Sequence, residues 1–163
     1  MKPVNIDKLL MMPDEMLEQK ARDKKIIRNF RKVKTIPQNA LMIKDVCKYT
    51  KGSFARFLSN WPKTDIVDLW LYLKKNGSRL GGNTGPYALR GLGLDTFLLT
   101  QDVEGFLRSH AIIDTGRDTK KALYDSQEFF NKLASSSGRR FCELSRIVAF
   151  AHGENWIGIS SAP

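Results

Sequence analysis

The residues best suited to chemistry are the run Arg79-Leu80-Gly81-Gly82-Asn83-Thr84-Gly85-Pro86-Tyr87 and the carboxylate of Asp102 in Leu99-Thr100-Gln101-Asp102-Val103. Gly81, Gly82 and Gly85 permit positive φ and close approach of the backbone, and Pro86 suits the first position of a following helix. Amide N–H groups gathered at such a helix start form an anion site. Arg79 adds a cation, and Asn83 and Thr84 add side-chain donors. Asp102 opens the next helical pattern. A carboxylate there could stabilise a developing sugar cation and help activate water. Asp102 also suits the commoner role of a cap or first-turn acid.

The chain around these residues is strongly basic. Its 163 residues carry 27 Lys and Arg against 17 Asp and Glu, a net charge of +10, which favours a polyanionic partner. Hydrophobic residues make up 42%, which excludes a mostly disordered chain. The two cysteines, Cys47 and Cys142, are expected as small buried side chains in a reducing compartment. With His110 and His152 they offer no metal-ligand spacing, so no metal or organic cofactor is expected. A charged start without a signal-peptide core, and no apolar run near ~18 residues, point to a soluble cytoplasmic protein without a membrane span.

Helical spacing dominates, giving an all-α expectation and one domain over residues 1–163. Pro13-Asp14-Glu15 marks a first turn, and a long pattern from about Lys24 to Tyr49 should kink or break at Pro37. Lys24, Lys25, Arg28, Arg31, Lys32 and Lys34 would cover much of that helix as a solvated or phosphate-touching face. Ser53 caps a short helix with Phe54, Phe57 and Leu58, and Thr64 or Asp65 caps a helix over 65–75. The segment 65–92 then forms two helices around the Gly-rich turn, the second over Pro86–Leu92. Phe97-Leu98-Leu99 is an apolar connector, and Thr100 or Asp102 caps a helix over 101–109. Asp118 or Thr119 caps a helix to about Leu133. Ser135-Ser136-Ser137-Gly138 is expected as a linker, Arg140–His152 as the last helix, and a loose tail follows from about residue 153. Arg139 and Arg140 would sit at that helix start, where cations oppose the dipole unless an anion lies nearby. Trp61, Trp70, Trp156 and Tyr49 are aromatics that could stack on a base, although Trp70 has core spacing.

Helix, Gly-rich hairpin, helix and following aspartate resemble the helix-hairpin-helix DNA glycosylases. Lys25-Ile26-Ile27-Arg28-Asn29-Phe30-Arg31-Lys32-Val33, the hairpin with Leu73–Gly77 before it, and Ser137-Gly138-Arg139-Arg140-Phe141-Cys142-Glu143-Leu144-Ser145 look like the bacterial 3-methyladenine-DNA glycosylase I branch. The resemblance spans roughly residues 5–152. It implies a base-excision repair enzyme that hydrolyses the N-glycosidic bond of an alkylated purine in double-stranded DNA. Asp102 would be the catalytic group, and Arg79, Gly81, Gly82, Asn83, Thr84, Gly85 and Tyr87 the DNA-binding set. It further implies a monomer, a nucleoid-associated location, and a monofunctional reaction, because Tyr87 stands where backbone-cutting relatives place a lysine. The branch's N-terminal portion and the zinc site of some members are expected to be lacking, and the hairpin-to-aspartate spacing is shorter than in most of the superfamily. The alternatives are a non-catalytic helix-hairpin-helix DNA-binding module and an RNA-binding or ribosome-associated protein.

Overall fold

A computed structural model describes residues 5–152, and these are all-helical, with no strand among them. No helix among the described residues is long and apolar enough to cross a membrane. The chain divides into two compact units. One comprises Met1–Asn60 and Tyr72–Arg79; the other comprises Trp61–Leu71 and Leu80–Pro163.

The first unit holds α1 (Ile6–Leu10), α2 (Asp14–Arg22), α3 (Phe30–Val33), α4 (Thr35–Tyr49) and α5 (Phe54–Ser59). Leu17, Val33, Met42 and Val46 are buried here. Three of the short helices are started by a side chain. Asn5, Asn29 and Ser53 accept the N–H groups of Lys8, Lys32 and Arg56, satisfying donors that the helix itself cannot. The long pattern from Lys24 is interrupted earlier than expected. Residues 24–29 are not helical, and α3 and α4 are separated at Lys34. Pro37 sits at the third position of α4, where its missing N–H has no helical partner to lose, so it neither kinks nor ends the helix. Lys24, Lys25 and Arg28 are exposed on irregular backbone rather than along a helix face.

The second unit is built on α6 (Ile66–Asn76, whose last residues belong to the first unit), α7 (Thr84–Gly91), α8 (Gln101–Ser109), α9 (Lys120–Ser137) and α10 (Phe141–Phe150). Its centre is the apolar connector. Phe97 is fully buried, its ring 4.6 Å from Trp70, 4.4 Å from Phe130 and 5.9 Å from Phe141. A phenylalanine in such a position is worth about 3–5 kcal/mol against alanine. Buried polar groups are paired across elements. Gln127 accepts the Val67 N–H at 2.7 Å, and the Trp70 indole N–H donates to Thr96 at 3.1 Å.

Ser135, Ser136 and Ser137 form the last turn of α9 rather than a linker. The hydroxyls of Ser136 and Ser137 donate back to the Leu133 carbonyl at 3.1 and 2.6 Å, which ties the serines to the helix. Gly138 then ends α9 in the left-handed conformation, φ 69°, its N–H on the Ala134 carbonyl. Cys47 and Cys142 are free and half-buried rather than fully buried.

Candidate nucleic-acid interface

The residues that precede the Gly-rich turn in the first unit are held by α4 and the end of α6. Gly77 N–H closes α6 on the Leu73 carbonyl at 2.8 Å. Asn39 of α4 then holds Ser78 twice, its amide oxygen accepting the Ser78 N–H at 2.7 Å and its amide nitrogen donating to the Ser78 carbonyl at 3.2 Å. Arg79 follows with φ 58°, exposed, a left-handed conformation that costs a non-glycine residue roughly 1 kcal/mol.

The turn itself begins the second unit. Gly82 takes φ 56° with nothing within 4 Å of a Cβ built on it, so glycine is needed there for its backbone angle and not for space. Gly81 and Gly85 are not among the positive-φ residues. The helix starts at Thr84, two residues before Pro86, and Pro86 occupies its third position; the expected start at Pro86 is corrected accordingly. Gly82, Thr84 and Tyr87 are exposed and Gly81 and Asn83 half-buried, whereas Gly85 and Pro86 are buried. The open part of the turn is therefore Gly82 to Thr84, with Tyr87 standing 55% exposed one turn along rather than packed between helices.

Asn83 does not cap α7 with its side chain. Its amide nitrogen instead donates to the Leu99 carbonyl at 2.7 Å. That bond fastens the turn to the end of the apolar connector, one residue before the Thr100 cap of α8. Thr100 Oγ1 accepts the Val103 N–H at 3.3 Å, so the cap is threonine and Asp102 is the acid of the first turn. Two carboxylates share this turn and are used differently. Glu104 is engaged by Arg108 at 2.9 Å and Arg117 at 3.3 Å. Asp102 is half-buried and has no hydrogen-bond or ion-pair partner among the described residues, leaving its oxygens open at the positive end of the α8 dipole.

Arg90 and Asp95 are polar residues that sequence reasoning did not single out. Arg90 donates to the Thr96 carbonyl at 2.9 Å and to Ser145 Oγ at 2.5 Å, and burial lowers its pKa below the usual guanidinium value. Asp95 accepts the N–H groups of Phe141 at 3.1 Å and Cys142 at 3.0 Å, capping α10 from 46 residues away in the chain. A cap donated from so distant a position leaves no local sequence signal.

Two clefts among the described residues are distinguished by their lining. One of about 280 Å³ lies in the first unit beside Arg22, Arg28 and Phe30. The other, about 350 Å³, lies in the second unit between the 3-10 turn Lys63–Asp65, the end of α9 and the start of α10. Asp102 lines neither. Among the aromatics, Trp70 is core and Tyr49 is exposed. Trp61 donates to the Asp65 carbonyl at 2.9 Å. Trp156 and the tail from residue 153 lie outside the described residues. His110 stacks on Phe106 with ring centres 4.0 Å apart, and no group of three or more His, Cys, Asp or Glu suited to a metal occurs among the described residues.

Comparison with protein families, curated proteins and solved structures finds no match for this chain.

Proposed function

We propose that the chain binds duplex DNA through the Gly82–Thr84 turn and hydrolyses the N-glycosidic bond of an alkylated purine, with Asp102 as the catalytic group. The observation that carries this reading is the 2.7 Å bond from Asn83 to the Leu99 carbonyl, which couples the turn to the helix start bearing an unpaired carboxylate. With the Thr84 N–H on the Gly81 carbonyl at 3.3 Å and the Asn83 amide on Leu99, the Gly82 and Asn83 N–H groups and the Thr84 hydroxyl are the donors left to hold a strand by its phosphates without reading sequence. A carboxylate at the adjoining helix start would oppose the positive charge growing at the anomeric carbon and orient the attacking water. A cationic alkylated base is already a good leaving group, so one carboxylate without a second acid is chemically sufficient. The net charge of +10 supports the choice of a polyanion.

The test is release of free base from methylated duplex DNA, measured beside duplex affinity. Asp102→Asn should cut release by at least about a hundredfold while changing affinity less than about threefold. Wild-type protein that binds the duplex yet frees no base would assign the turn to a binding module. Tighter competition by RNA than by DNA would move the reading to an RNA-binding protein.

A further inference from the structure

Helices α7 and α10 of the second unit are tied together by Arg90, which donates to Ser145 Oγ at 2.5 Å. Its guanidinium is near enough to Tyr87 and to Arg146 for both to act on it electrostatically. Tyr87 lies one turn before it on α7, and Arg146 follows Ser145 on α10. Arg146 in turn stands over the Phe150 ring, its guanidinium carbon 6.0 Å from the ring centre. An aromatic, two arginines and a second aromatic therefore run from α7 across to α10. The row starts one turn after Thr84, where the open part of the Gly-rich turn ends.

The row faces outward. Phe150 is 52% exposed beside Ile147 at 48%, and Leu92 at the end of α7 is 65% exposed, whereas Leu144, Ser145 and Val148 take the inner side of α10. Its charge is not met by a carboxylate, for Arg146 has no ion-pair partner among the described residues. Glu143, the exposed carboxylate one turn before it, is turned to Arg140 and accepts its N–H at 3.3 Å. Exposed aromatic rings around an uncompensated arginine match a single nucleic-acid strand, whose bases offer π-faces and whose phosphates offer negative charge. A duplex keeps its base faces inside the stack and offers such rings little.

We infer that the α7–α10 face binds an unpaired stretch of DNA strand running on from the duplex held at the Gly82–Thr84 turn, with bases stacked on Tyr87 and Phe150 and a phosphate on Arg146. The DNA bound best is then a duplex with a single-stranded flank. The inference rests on the proposed contact of the turn with duplex DNA. It is independent of base release, in which none of these three residues takes part.

The experiment follows fluorescence anisotropy of three labelled DNAs with full-length protein: a blunt duplex, the same duplex with a short thymidine overhang, and one whose overhang carries abasic spacers. Stacking one base on an aromatic is worth roughly a five- to hundredfold gain in affinity. The thymidine overhang should therefore bind at least about tenfold more tightly than the blunt duplex, and the abasic overhang should lose most of that gain. Tyr87→Ala with Phe150→Ala should bring the thymidine overhang down to the abasic level. Arg146→Gln should weaken both overhangs and flatten their salt dependence by roughly 0.7 for the phosphate no longer neutralised. Tyr49→Ala, at an exposed tyrosine of the first unit, is the control and should stay within about twofold of wild type. Overhang preference without release of free base leaves the inference standing and removes the enzyme reading. Equal binding of blunt and overhanging duplex, or a gain that survives the double variant, overturns the inference and leaves the turn contact in place. Failure to bind any of the three DNAs overturns both. A concentration-dependent dimer that Phe150→Ala dissolves gives the face to a second copy and likewise overturns the inference.

Discussion

Asn83 and Leu99 are joined by a 2.7 Å hydrogen bond from side-chain amide to backbone carbonyl, and through it the Gly-rich turn and the start of α8 become one piece of structure. The bond is partly buried, so its loss leaves the Leu99 carbonyl without that donor. Asn83→Ala should cost about 1 kcal/mol in urea denaturation and weaken duplex binding together with base release. Unchanged release in a variant that has lost that stability would uncouple the turn from the chemistry.

Asp95 caps α10 on the Phe141 and Cys142 N–H groups, beside the local contact in which Glu143 accepts the Arg140 N–H at 3.3 Å. Asp95→Ala strips two amide partners at once and should destabilise the chain by about 1–2 kcal/mol. Asp95→Asn retains a single acceptor and should lose about half as much. Chemical denaturation followed by circular dichroism measures both, and equal stability of the two variants would argue against the paired geometry.

Gly105 lies against the His152 side chain. A Cβ built on it would overlap the imidazole of His152. Alanine normally stabilises a helix interior by about 1 kcal/mol over glycine. Gly105→Ala should deliver that gain only after His152→Ala has cleared the room, and little or none in the wild-type background. A double-mutant cycle on thermal or urea unfolding reads the coupling directly, and additive effects would refute the packing argument.

Lys121 bonds Asp114 at 2.6 Å, and this hydrogen bond holds the Asp114 pKa below the ordinary carboxylate value while raising that of Lys121. A lowered carboxylate pKa adds stability that is present above the ordinary carboxylate range and lost as pH falls through the lowered value. Lys121→Gln should therefore return the Asp114 titration upward, followed by carboxyl-carbon NMR. Because both side chains are exposed, global stability near neutral pH should scarcely change.

What the sequence determined by itself were the local features. Apolar spacing called for helices, the cap Ser53 was legible, and the choices Thr100 or Asp102 and Asp118 or Thr119 were narrowed to residues within three positions of the helix ends, where the structure selects the two threonines. Short-range hydrogen bonds need no partner beyond their own turn, so residue type and spacing suffice. The same reasoning failed wherever a distant contact or a backbone angle took over. Residues 24–29 left the helix their spacing suggested, and the serines of α9 joined a helix their composition argued against.

Only the tertiary structure decided that Asp95 caps α10, that Asn83 reaches Leu99 rather than its own helix, and that Asp102 is left unpaired while Glu104 is claimed by two arginines. It also brought Lys63 to the same cleft as Asn131 and the two arginines before α10. Apart from the i,i+4 pair of Glu104 with Arg108, each of these depends on packing that closes loops of many residues, and the chain records nothing of such proximity in its local pattern.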